Sequence, residues 1–452
     1  ALRPGQRAPK LAPFVADDDE VLVHAFVKID ADNHGPASVA PSEMGQGAQT
    51  ALAQMLADEL DADWDKVRFM AAPAEDGYAT GPLAKGYLTA GMQIPEVLVP
   101  TVDGAFQKIT ETLHLQITGG SMSVRATGVS GMRVAGAAAR EMLMQAAAKE
   151  WQVNIADLVA ENSTISHPAT GRSESFAHFA ARAAEYTPSS SPRLKSPDEF
   201  KIMGQSKPRL DLPAKVDGSA MFGIDATVDG MKYASIAAAP VFGASVAQVD
   251  DSAARSMPGV VDVVNLGNAV AIVADGYWQA KKALAKLAIE WTSTDNDLQS
   301  SDGIFEQFDR DISAARASGD SRQDMAIGDA AGALASADRV IERSYRVPYL
   351  AHSCMEPMNA LARVTGDSCE VWTGTQNPLG FRYSVADALE MDAEQVTVNN
   401  FYMGGGFGRR SDPDTAIQAA RIARATGVPV KLIWSREEDI QHDHYRPAIT
   451  SS

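Results

Sequence analysis

Residues 401–410 read FYMGGGFGRR, with four glycines in five positions and two arginines directly after them. The apolar run QVTVNNFYM that leads into them is strand-like, and DTAIQAARIARAT after them has helical spacing. So many adjacent glycines are unfavourable to order unless the bare backbone is used. A strand, a glycine turn and a helix in this order direct unpaired N–H groups at one point, where the helix dipole favours an anion.

The same pattern recurs twice nearer the N-terminus. GQG, residues 45–47, precedes a predicted helix from Ala48 to Leu60, and TGGS, residues 118–121, precedes the alanine-rich helix VAGAAAREMLMQAAAKEW. A glycine turn taken singly is more often only a turn. Neither common nucleotide motif fits, because Arg409 stands where G-x-G-x-x-G needs its last glycine and no G-x-x-x-x-G-K-[ST] occurs. An NAD-type Rossmann site is therefore disfavoured.

The overall charge is acidic, and this narrows the partners. Asp and Glu number 58 against 40 Lys and Arg, a net charge of −18. This balance disfavours nucleic acid or an anionic membrane surface as a partner, and no run approaches the roughly 20 apolar residues of a membrane span. Positive charge at Arg409 and Arg410, beside open amides, instead suggests a bound polyanion with several phosphates.

The 452 residues predict two to four domains of roughly 100–200 residues each. Strand-like and helical segments are interspersed, so the expected class is α+β (mixed α/β) and multidomain. EVLVHAFVKID, residues 20–30, reads as one strand, and QITGGSMSVRATGVSGM, residues 116–132, as a Gly/Ser loop. A Pro/Ser-rich stretch near residue 190 and a polar link over 293–330 separate three blocks, 1–200, 205–295 and 325–452.

Cysteine and histidine give little sign of a metal site. An iron–sulfur cluster generally takes four cysteine ligands, and this chain has two, Cys354 and Cys369. A disulfide between them and a pair of unpaired core thiols both remain open. His442 and His444, in HDH, are expected in a surface loop rather than as metal ligands.

Several longer stretches occur in one order along the chain, and together they carry a resemblance. They are SEMGQGAQTALAQMLADELDADWDKVRF, ITGGSMSVR, PRLDLPAKVDGSAMFGIDATVDGMKYA, YLAHSCMEPMNALA, TGTQNP, MGGGFGRRSDPD and SREEDIQHDHYRP. The chain resembles the molybdenum-binding large subunit of the xanthine oxidase family, in the isoquinoline 1-oxidoreductase β-subunit and membrane-associated aldehyde dehydrogenase branch. MGQG before GGGFG is typical of that branch.

The resemblance implies an architecture and a cofactor. Residues 1–200 would hold the dinucleotide side of the cofactor, 205–295 would form an α/β hammerhead domain, and 325–452 would be the first part of a molybdopterin-binding domain. The cofactor would be molybdenum molybdopterin cytosine dinucleotide, with molybdenum held by the pterin dithiolene. No side chain of this chain is expected to ligate the metal.

The resemblance also implies roles for particular residues. Those expected to bind the cofactor are Gly45, Gln46, Gly47, Gly119, Gly120, Ser121, Ser123, Gly405, Gly406, Phe407, Gly408 and Arg409. Gln376 of GTQN would hydrogen-bond an oxygen ligand of molybdenum, Phe407 would lie at the metal end, and Arg446 of YRP would be a pocket-side arginine.

The implied reaction is oxidative hydroxylation with water as the oxygen source, begun by a glutamate base. That glutamate lies in a G-x-G-E segment near the end of the family's full-length subunit, and the segment is not found here. Glu356 of MEP is expected to be a structural carboxylate beside Pro357. Either a second polypeptide supplies the base, or the chain is a fragment, or the activity is gone.

The resemblance further implies an electron-accepting partner and a substrate class. A 2Fe-2S small subunit, a following cytochrome c subunit and the C-terminal remainder of the large subunit are the expected partners. Arg410 and Ser411 stand where purine-oxidising members carry a substrate-binding glutamate, so an aldehyde or an N-heteroaromatic ring is expected as substrate. The start at Ala1 looks processed, which agrees with a periplasmic location, with the cytoplasm as the alternative. A non-catalytic molybdopterin-binding scaffold remains the alternative function.

Overall fold

The computed structural model describes residues 4–451 except 90–93, 190, 321, 323 and 326. Helices and strands are interspersed along the chain, so the expected mixed α/β class is confirmed. Ala1, on which the expectation of a processed start rests, lies outside the described residues.

The strands are β1 (Glu20–His24), β2 (Val27–Asp30), β3 (Gly35–Val39), β4 (Val67–Ala71), β5 (Val159–Glu161), β6 (Thr164–His167), β7 (Arg172–Ser175), β8 (Lys232–Ala238), β9 (Val246–Asp250), β10 (Val260–Asn265), β11 (Ala269–Ala274), β12 (Ala288–Trp291), β13 (Tyr345–Val347), β14 (Asn359–Thr365), β15 (Ser368–Thr373), β16 (Val396–Asn400), β17 (Val430–Ile433) and β18 (Ile449–Ser451). The α-helices are α1 (Pro4–Val15), α2 (Ala48–Leu60), α3 (Gly81–Leu88), α4 (Val99–Thr112), α5 (Gly120–Met122), α6 (Arg133–Trp151), α7 (Phe176–Ala183), α8 (Leu212–Asp217), α9 (Ser252–Arg255), α10 (Tyr277–Leu284), α11 (Ser301–Ser318), α12 (Ala330–Ala335), α13 (Pro378–Ala388), α14 (Asp414–Thr426) and α15 (Arg436–Gln441).

The largest sheet has seven strands in the order β10-β11-β8-β17-β14-β15-β16. Its neighbours are antiparallel except for the parallel pairs β8–β17 and β15–β16. Strands from the predicted hammerhead segment, 205–295, and from the predicted molybdopterin-binding segment, 325–452, thus lie in one sheet. The proposed domain boundaries stay a prediction.

The N-terminal block is built on a four-stranded sheet in the order β1-β2-β3-β4. The segment 20–30, expected to be one strand, is a hairpin, because a two-residue turn at Ala25 and Phe26 separates β1 from β2. Neither turn residue is Gly, Asn or Asp, so the sequence alone carries no turn signal.

The segment 116–132 was expected to be a loop, and this is wrong for most of its length. The chain is helical from Gly120, and a π-helical segment, Ser123–Met132, joins α5 to α6. The glycines here serve packing instead of a loop. A Cβ at Gly128 would clash with Met55 of α2, and one at Gly136, one turn into α6, would clash with the Leu56 carbonyl. These glycines therefore let α2 pack closely against the π-helical segment and α6. The first turn of α2 directly follows the glycine turn at residues 45–47.

The close crossing of α2 and α6 gives a stability prediction. Gly136→Ala forces a methyl group against the backbone of α2, which overpacks the contact, and we expect it to lower the free energy of unfolding by about 1–3 kcal/mol. The matched control is Gly104→Ala in α4, where a Cβ meets no atom within 4 Å and alanine is the better helix former. Urea denaturation measures both. Equal stability of the two variants would contradict the packing account.

Candidate functional site

Three glycine-rich loops meet at one cavity of about 790 Å³. We call them the first loop (residues 43–47, between β3 and α2), the second loop (118–123, entering α5) and the third loop (404–408, after β16). The cavity is lined by Met44, Gly45, Gln46, Tyr87, Ile117, Thr118, Gly119, Gly120, Gln376, Gly406, Phe407, Gly408 and Ser411. The three loops, which lie far apart in the sequence, therefore converge on one cavity in the fold.

The first loop is folded around its own carboxylate. Oε1 of Glu43, a residue only 2% exposed, accepts hydrogen bonds from the amides of Gly45 at 2.9 Å and Gly47 at 3.0 Å. Both glycines have left-handed backbone, with φ of +102° and +77°, which side-chain-bearing residues rarely adopt. Gln46 folds back, accepting from Met44 N at 2.7 Å and donating to Ser42 O at 3.0 Å. The expectation of open amides is thus wrong for Gly45 and Gly47.

An ion cluster of the PRLDLPAKVDG stretch stabilises the first loop through hydrogen bonds to Gly45 and Glu43. Arg209 donates to Gly45 O at 3.0 Å and to Glu43 Oε1 at 3.1 Å, and it pairs with Asp211 at 2.6 Å. Lys215 completes the cluster 2.7 Å from Asp211. Burial alone would raise the pKa of Asp211, but hydrogen bonds from Arg209 and Lys215 outweigh it and lower the pKa to about 2.

The lowered pKa of Asp211 predicts an acid-sensitive part of the stability. The folded pKa of about 2 lies below the unfolded value of about 3.9, so the unfolded chain binds more protons between these values. The contribution of Asp211 to the free energy of unfolding is then fully present above about pH 4 and is lost as the pH falls towards 2. We expect Asp211→Asn to lack about 1–2 kcal/mol of this pH-dependent stability, as measured by urea denaturation from pH 6 to pH 2.5. Exposed Asp229→Asn is the control, and parallel curves for wild type and Asp211→Asn would contradict the prediction.

The second loop is closed by a side chain of the π-helical segment. Gly119 N donates to Oγ of the buried Ser123 at 2.9 Å, and Gly120 has a φ of +44°. Gly119 and Gly120 line the cavity. Ser121 is exposed and Ser123 is turned to its own loop, so neither is among the lining residues. Their expected cofactor contacts stay a prediction.

Gln376 ties the loops together. Its Nε2 donates to Thr118 O of the second loop at 3.0 Å, and its Oε1 accepts from Gly408 N of the third loop at 2.9 Å. Thr118 returns a bond from its amide to Gln376 O at 2.8 Å, and its Oγ1 accepts from Ser42 N, beside the first loop, at 2.6 Å. Gln376 is 3% exposed and lines the cavity. The second Nε2 hydrogen has no acceptor in the described part of the chain. It is available for the expected bond to a metal-bound oxygen, which stays a prediction.

The third loop presents unpartnered backbone to the cavity. Among the described residues, the amides of Gly405, Gly406 and Phe407 have no hydrogen-bond partner. Of these three, Gly406 and Phe407 line the cavity and Gly405 does not. Phe407 has a φ of +55° although it carries a side chain, and its ring is 60% exposed. Such strain persists only where the surroundings impose it. Here Arg446 donates to Phe407 O at 3.1 Å, so this predicted residue lies at the third loop although it does not line the cavity.

The two arginines after the third loop point into the protein. Arg409 is 1% exposed, pairs with Asp414 at 2.7 Å and lies 5.4 Å from the Trp434 ring centre. Arg410, also 1% exposed, donates to Gly405 O at 3.0 Å and to Glu356 O at 2.7 Å. The expectation that this charge faces a polyanion is therefore wrong, because the guanidinium groups satisfy buried acceptors and do not reach the cavity.

Glu356 has the structural role that the sequence suggested. Its Oε1 accepts from Ile224 N at 3.0 Å and from Asn359 Nδ2 at 2.9 Å, and its Oε2 accepts from Gly404 N at 2.8 Å. Arg410 lies 3.2 Å from Oε2. The side chain thus anchors the start of the third loop, and it is not among the residues that line the cavity.

The cysteines are both buried and unpaired, which decides against a disulfide. Burial raises the pKa of Cys369 to about 12 and raises that of Cys354 as well. His442 lies 3.2 Å from Glu438, and His444 is exposed. Within the described ranges, no group of three His, Cys, Asp or Glu side chains could hold a metal ion.

Sequence reasoning missed five residues of the cavity wall. They are Met44, Tyr87, Ile117, Thr118 and Ser411. Met44 and Thr118 belong to the first and second loops, Ile117 directly precedes the second loop and Ser411 directly follows the arginine pair, so sequence proximity could have indicated these four. Tyr87 lies in the last turn of α3, and only the fold brings its hydroxyl to within 3.1 Å of the Cβ position of Gly119.

Comparison with known proteins identifies the C-terminal part of the chain directly. Residues 314–452 match the molybdopterin cofactor-binding domain family. This range contains the third loop, Gln376 and Arg446, but neither of the other two loops. In the part of the chain that the structure describes, no helix combines the length and the apolar character needed to cross a membrane.

Relatives match nearly the whole chain. It is 32% identical to the isoquinoline 1-oxidoreductase β-subunit of Brevundimonas diminuta, over 95% of this chain and 56% of that protein. It is 29% identical to a membrane-bound aldehyde dehydrogenase (pyrroloquinoline-quinone) of Gluconacetobacter polyoxogenes, over 93% and 51%. A nicotinate dehydrogenase polypeptide of Pseudomonas putida is 26% identical, over 96% and 33%. The chain spans about half the length of the first two relatives.

Among solved structures, the aldehyde oxidoreductase of Desulfovibrio gigas is similar at 17% identity and a TM-score of 0.42, over 89% of this chain and 42% of that one. Quinoline 2-oxidoreductase of Pseudomonas putida 86 reaches a TM-score of 0.40 over 53% of this chain and 35% of that one, at 20% identity. These scores are too low to carry an argument about the site.

Proposed function

Because this chain belongs to the xanthine oxidase family of molybdenum-binding subunits, we propose that it is the molybdopterin-holding part of a molybdenum hydroxylase. The proposed reaction is oxidative hydroxylation of an aldehyde or an N-heteroaromatic ring, with water as the oxygen source. The observation that carries the proposal is the single cavity on which all three glycine loops converge.

The residues at this cavity fit a pterin that carries phosphates. A volume of about 790 Å³ lies within the range of cofactor sites, about 300–1,000 Å³. The unpartnered amides of Gly406 and Phe407 are donors suited to an anionic or carbonyl oxygen. Gly406 must stay bare, because a Cβ there would lie 2.6 Å from Gln376 Oε1 and 2.9 Å from Met44 Sδ.

The chain's own groups have positioning tasks in this proposal. Bound molybdenum would supply the redox centre and an acidified, water-derived nucleophile. Gln376 holds the second and third loops in register and keeps one N–H for an oxygen at the metal end. The exposed ring of Phe407 offers an apolar wall against which a flat substrate can pack. Arg446 stabilises that wall through the Phe407 carbonyl.

The finer identity of the cofactor and the partners belongs to the same proposal. We favour the cytosine dinucleotide form, because the similar branch of the family uses it. Electrons would pass to a separate 2Fe-2S protein, since two buried cysteines cannot ligate a cluster that generally takes four. A cytochrome c subunit would follow, and the assembly would work in the periplasm.

A non-catalytic molybdopterin carrier is the second candidate. The observation that favours it is that Glu356, the most suggestive carboxylate near the third loop, is committed to structure. In the catalytic proposal the base comes from the remainder of the large subunit. Relatives about twice as long as this chain leave room for that remainder.

The test is elemental and nucleotide analysis of the chain purified from a molybdate-supplied host. We expect about one molybdenum per chain, as one cavity binds one cofactor, and release of a cytosine nucleotide on acid hydrolysis. Bound cofactor without hydroxylation, even after addition of a co-expressed C-terminal remainder and 2Fe-2S subunit, would favour the carrier. Protein with neither molybdenum nor nucleotide would contradict both, and bound nicotinamide would indicate a different enzyme class.

A further inference from the structure

A second cavity, of about 300 Å³, lies away from the three glycine loops. It is enclosed by α1, the β1–β2 hairpin, the helices α3 and α4 and the end of the π-helical segment. Its wall is largely apolar and aromatic, and the rings of Phe26 and Tyr78 meet edge to face there with centres 5.6 Å apart. No residue of the first, second or third loop is among its lining residues.

A cationic side chain enters this apolar space without a partner. Nε of Arg7, which lines the cavity, is buried and makes no hydrogen bond, and no ion pair to Arg7 is found in the described part of the chain. Burial lowers the pKa of Arg7, opposed by nearby Glu111 and Tyr78. A buried guanidinium Nε without a hydrogen-bond partner is unfavourable unless a ligand or solvent satisfies it.

Two further polar groups line the same wall. Oγ1 of Thr127, a residue 4% exposed, is also buried without a hydrogen-bond partner. His24 is enclosed, and burial, assisted by Arg7, lowers its pKa to about 4, so it carries no charge at neutral pH. An arginine and a hydroxyl both donate hydrogen bonds, so the ligand they fit is an acceptor.

The other charges near the cavity already have partners. Asp103 pairs with Lys85 at 2.5 Å. Glu111 accepts from the neutral Gln107 Nε2 at 3.2 Å, and its negative charge acts on Arg7 without a direct ion pair. The cation at this wall without a direct partner in the described part of the chain is Arg7, whose free Nε–H can donate to one carboxylate. A second carboxylate on the ligand would meet Asp103 or Glu111 and be repelled.

We propose that this cavity is a binding site for a small aromatic monocarboxylate. Its carboxylate lies on Arg7 and Thr127, and its ring packs against Phe26 and Tyr78. Arginine recognises a carboxylate with paired N–H groups, and a buried charge-assisted bond of this kind is strong. About 300 Å³ is at the lower end of ligand-site volumes, about 300–1,000 Å³, which suits a single-ring acid.

Isothermal titration calorimetry of the 452-residue chain with benzoate tests the proposal. We expect saturable 1:1 binding to the wild type, and binding weaker by about tenfold or more in Arg7→Met, because a charge-assisted bond is lost. The matched control, Arg125→Met, alters an exposed arginine of the π-helical segment and keeps wild-type affinity. Benzamide, which has the same shape without the charge, binds more weakly than benzoate.

Two results overturn the proposal: no saturable benzoate binding to the wild type, or equal affinity in Arg7→Met. If Arg7→Met does not fold by circular dichroism, Thr127→Val takes its place, with weaker benzoate binding expected and unchanged affinity counting against the site. Crystals of the wild type grown with 4-bromobenzoate give an independent readout. An anomalous bromine peak between Phe26 and Tyr78 supports the assignment, and a peak only elsewhere refutes it.

Discussion

Gly406→Ala is expected to lower the retention of molybdopterin strongly while leaving the chain folded. The added methyl group would lie 2.6 Å from Gln376 Oε1 and 2.9 Å from Met44 Sδ, at the point where the third loop meets the other two. Overpacking of this kind costs about 1–3 kcal/mol. The side chains that must move are Gln376 and Met44, which both line the cavity. We expect the molybdenum content per chain to fall by about tenfold or more, since about 1.4 kcal/mol is a factor of ten in binding.

The matched control for this substitution is Gly35→Ala, in β3. A Cβ at Gly35 meets no atom within 4 Å, so this variant should retain wild-type molybdenum. Both variants are purified in parallel, checked by circular dichroism and analysed for metal and nucleotide. Wild-type molybdenum in Gly406→Ala would mean that the cofactor does not depend on the close approach of the third loop to Gln376.

Glu356→Ala is expected to lower the free energy of unfolding by about 3–5 kcal/mol, because removal of one partner leaves a buried charge uncompensated. That charge is on Arg410, 3.2 Å from Glu356 Oε2, and the amides of Gly404 and Ile224 lose their acceptors as well. Glu356→Gln, which keeps an acceptor oxygen but loses the charge, should fall between the wild type and Glu356→Ala. Urea denaturation of all three chains measures the series.

The same three chains distinguish a structural role of the Glu356 carboxylate from a catalytic role. A structural carboxylate predicts a graded loss of stability, with molybdenum content falling alongside it. Glu370→Ala is the control, because Glu370 is a half-buried strand residue paired with Arg363 at the surface, where ion pairs contribute about 0–1 kcal/mol. If Glu356→Ala were as stable as Glu370→Ala, the anchoring role would be disproved.

The glycine loops could be predicted from sequence because their backbone signal is local. Gly47 is the N-cap of α2, which runs from Ala48 to Leu60 as the sequence predicted, whereas the helix that begins at Gly120 was not predicted. The use of the amides could not be predicted in the same way. Glu43 fills the first loop with its own carboxylate, and nothing in SEMGQG shows whether a carboxylate will fold inward or stay in water.

The arginine pair illustrates the limit of charge patterning. The sequence shows two cations beside four glycines, but it does not show their direction. Arg409 finds Asp414 and Trp434, and Arg410 finds backbone carbonyls across the chain. Asp414 is five residues from Arg409, but Trp434 and the Glu356 carbonyl come from separate segments that only the tertiary fold brings to the arginines. Local composition therefore suggested a polyanion cradle where the structure has buried, neutralised arginines.

Two element assignments failed for a related reason. The polar link over 293–330 contains the helix α11, whose half-buried Ile304, Phe308 and Ile312 recur every four residues. High polarity elsewhere in the stretch concealed this apolar stripe. In residues 116–132 the glycines were interpreted as loop formers, whereas Gly128 is needed for the close contact with α2.

The central claim is that the second and third loops hold one cofactor together, and hydrogen–deuterium exchange tests it most directly. Holo chain is compared with apo chain from a host that cannot make molybdopterin. Peptides covering 119–121 and 405–407 should both exchange more slowly in the holo form, because a ligand in the cavity protects the backbone of both loops from opening and from solvent. The amides of Gly45 and Gly47, already bonded to Glu43, should exchange slowly in both forms. Slower exchange in one of the two loops alone, or in neither, would contradict the account.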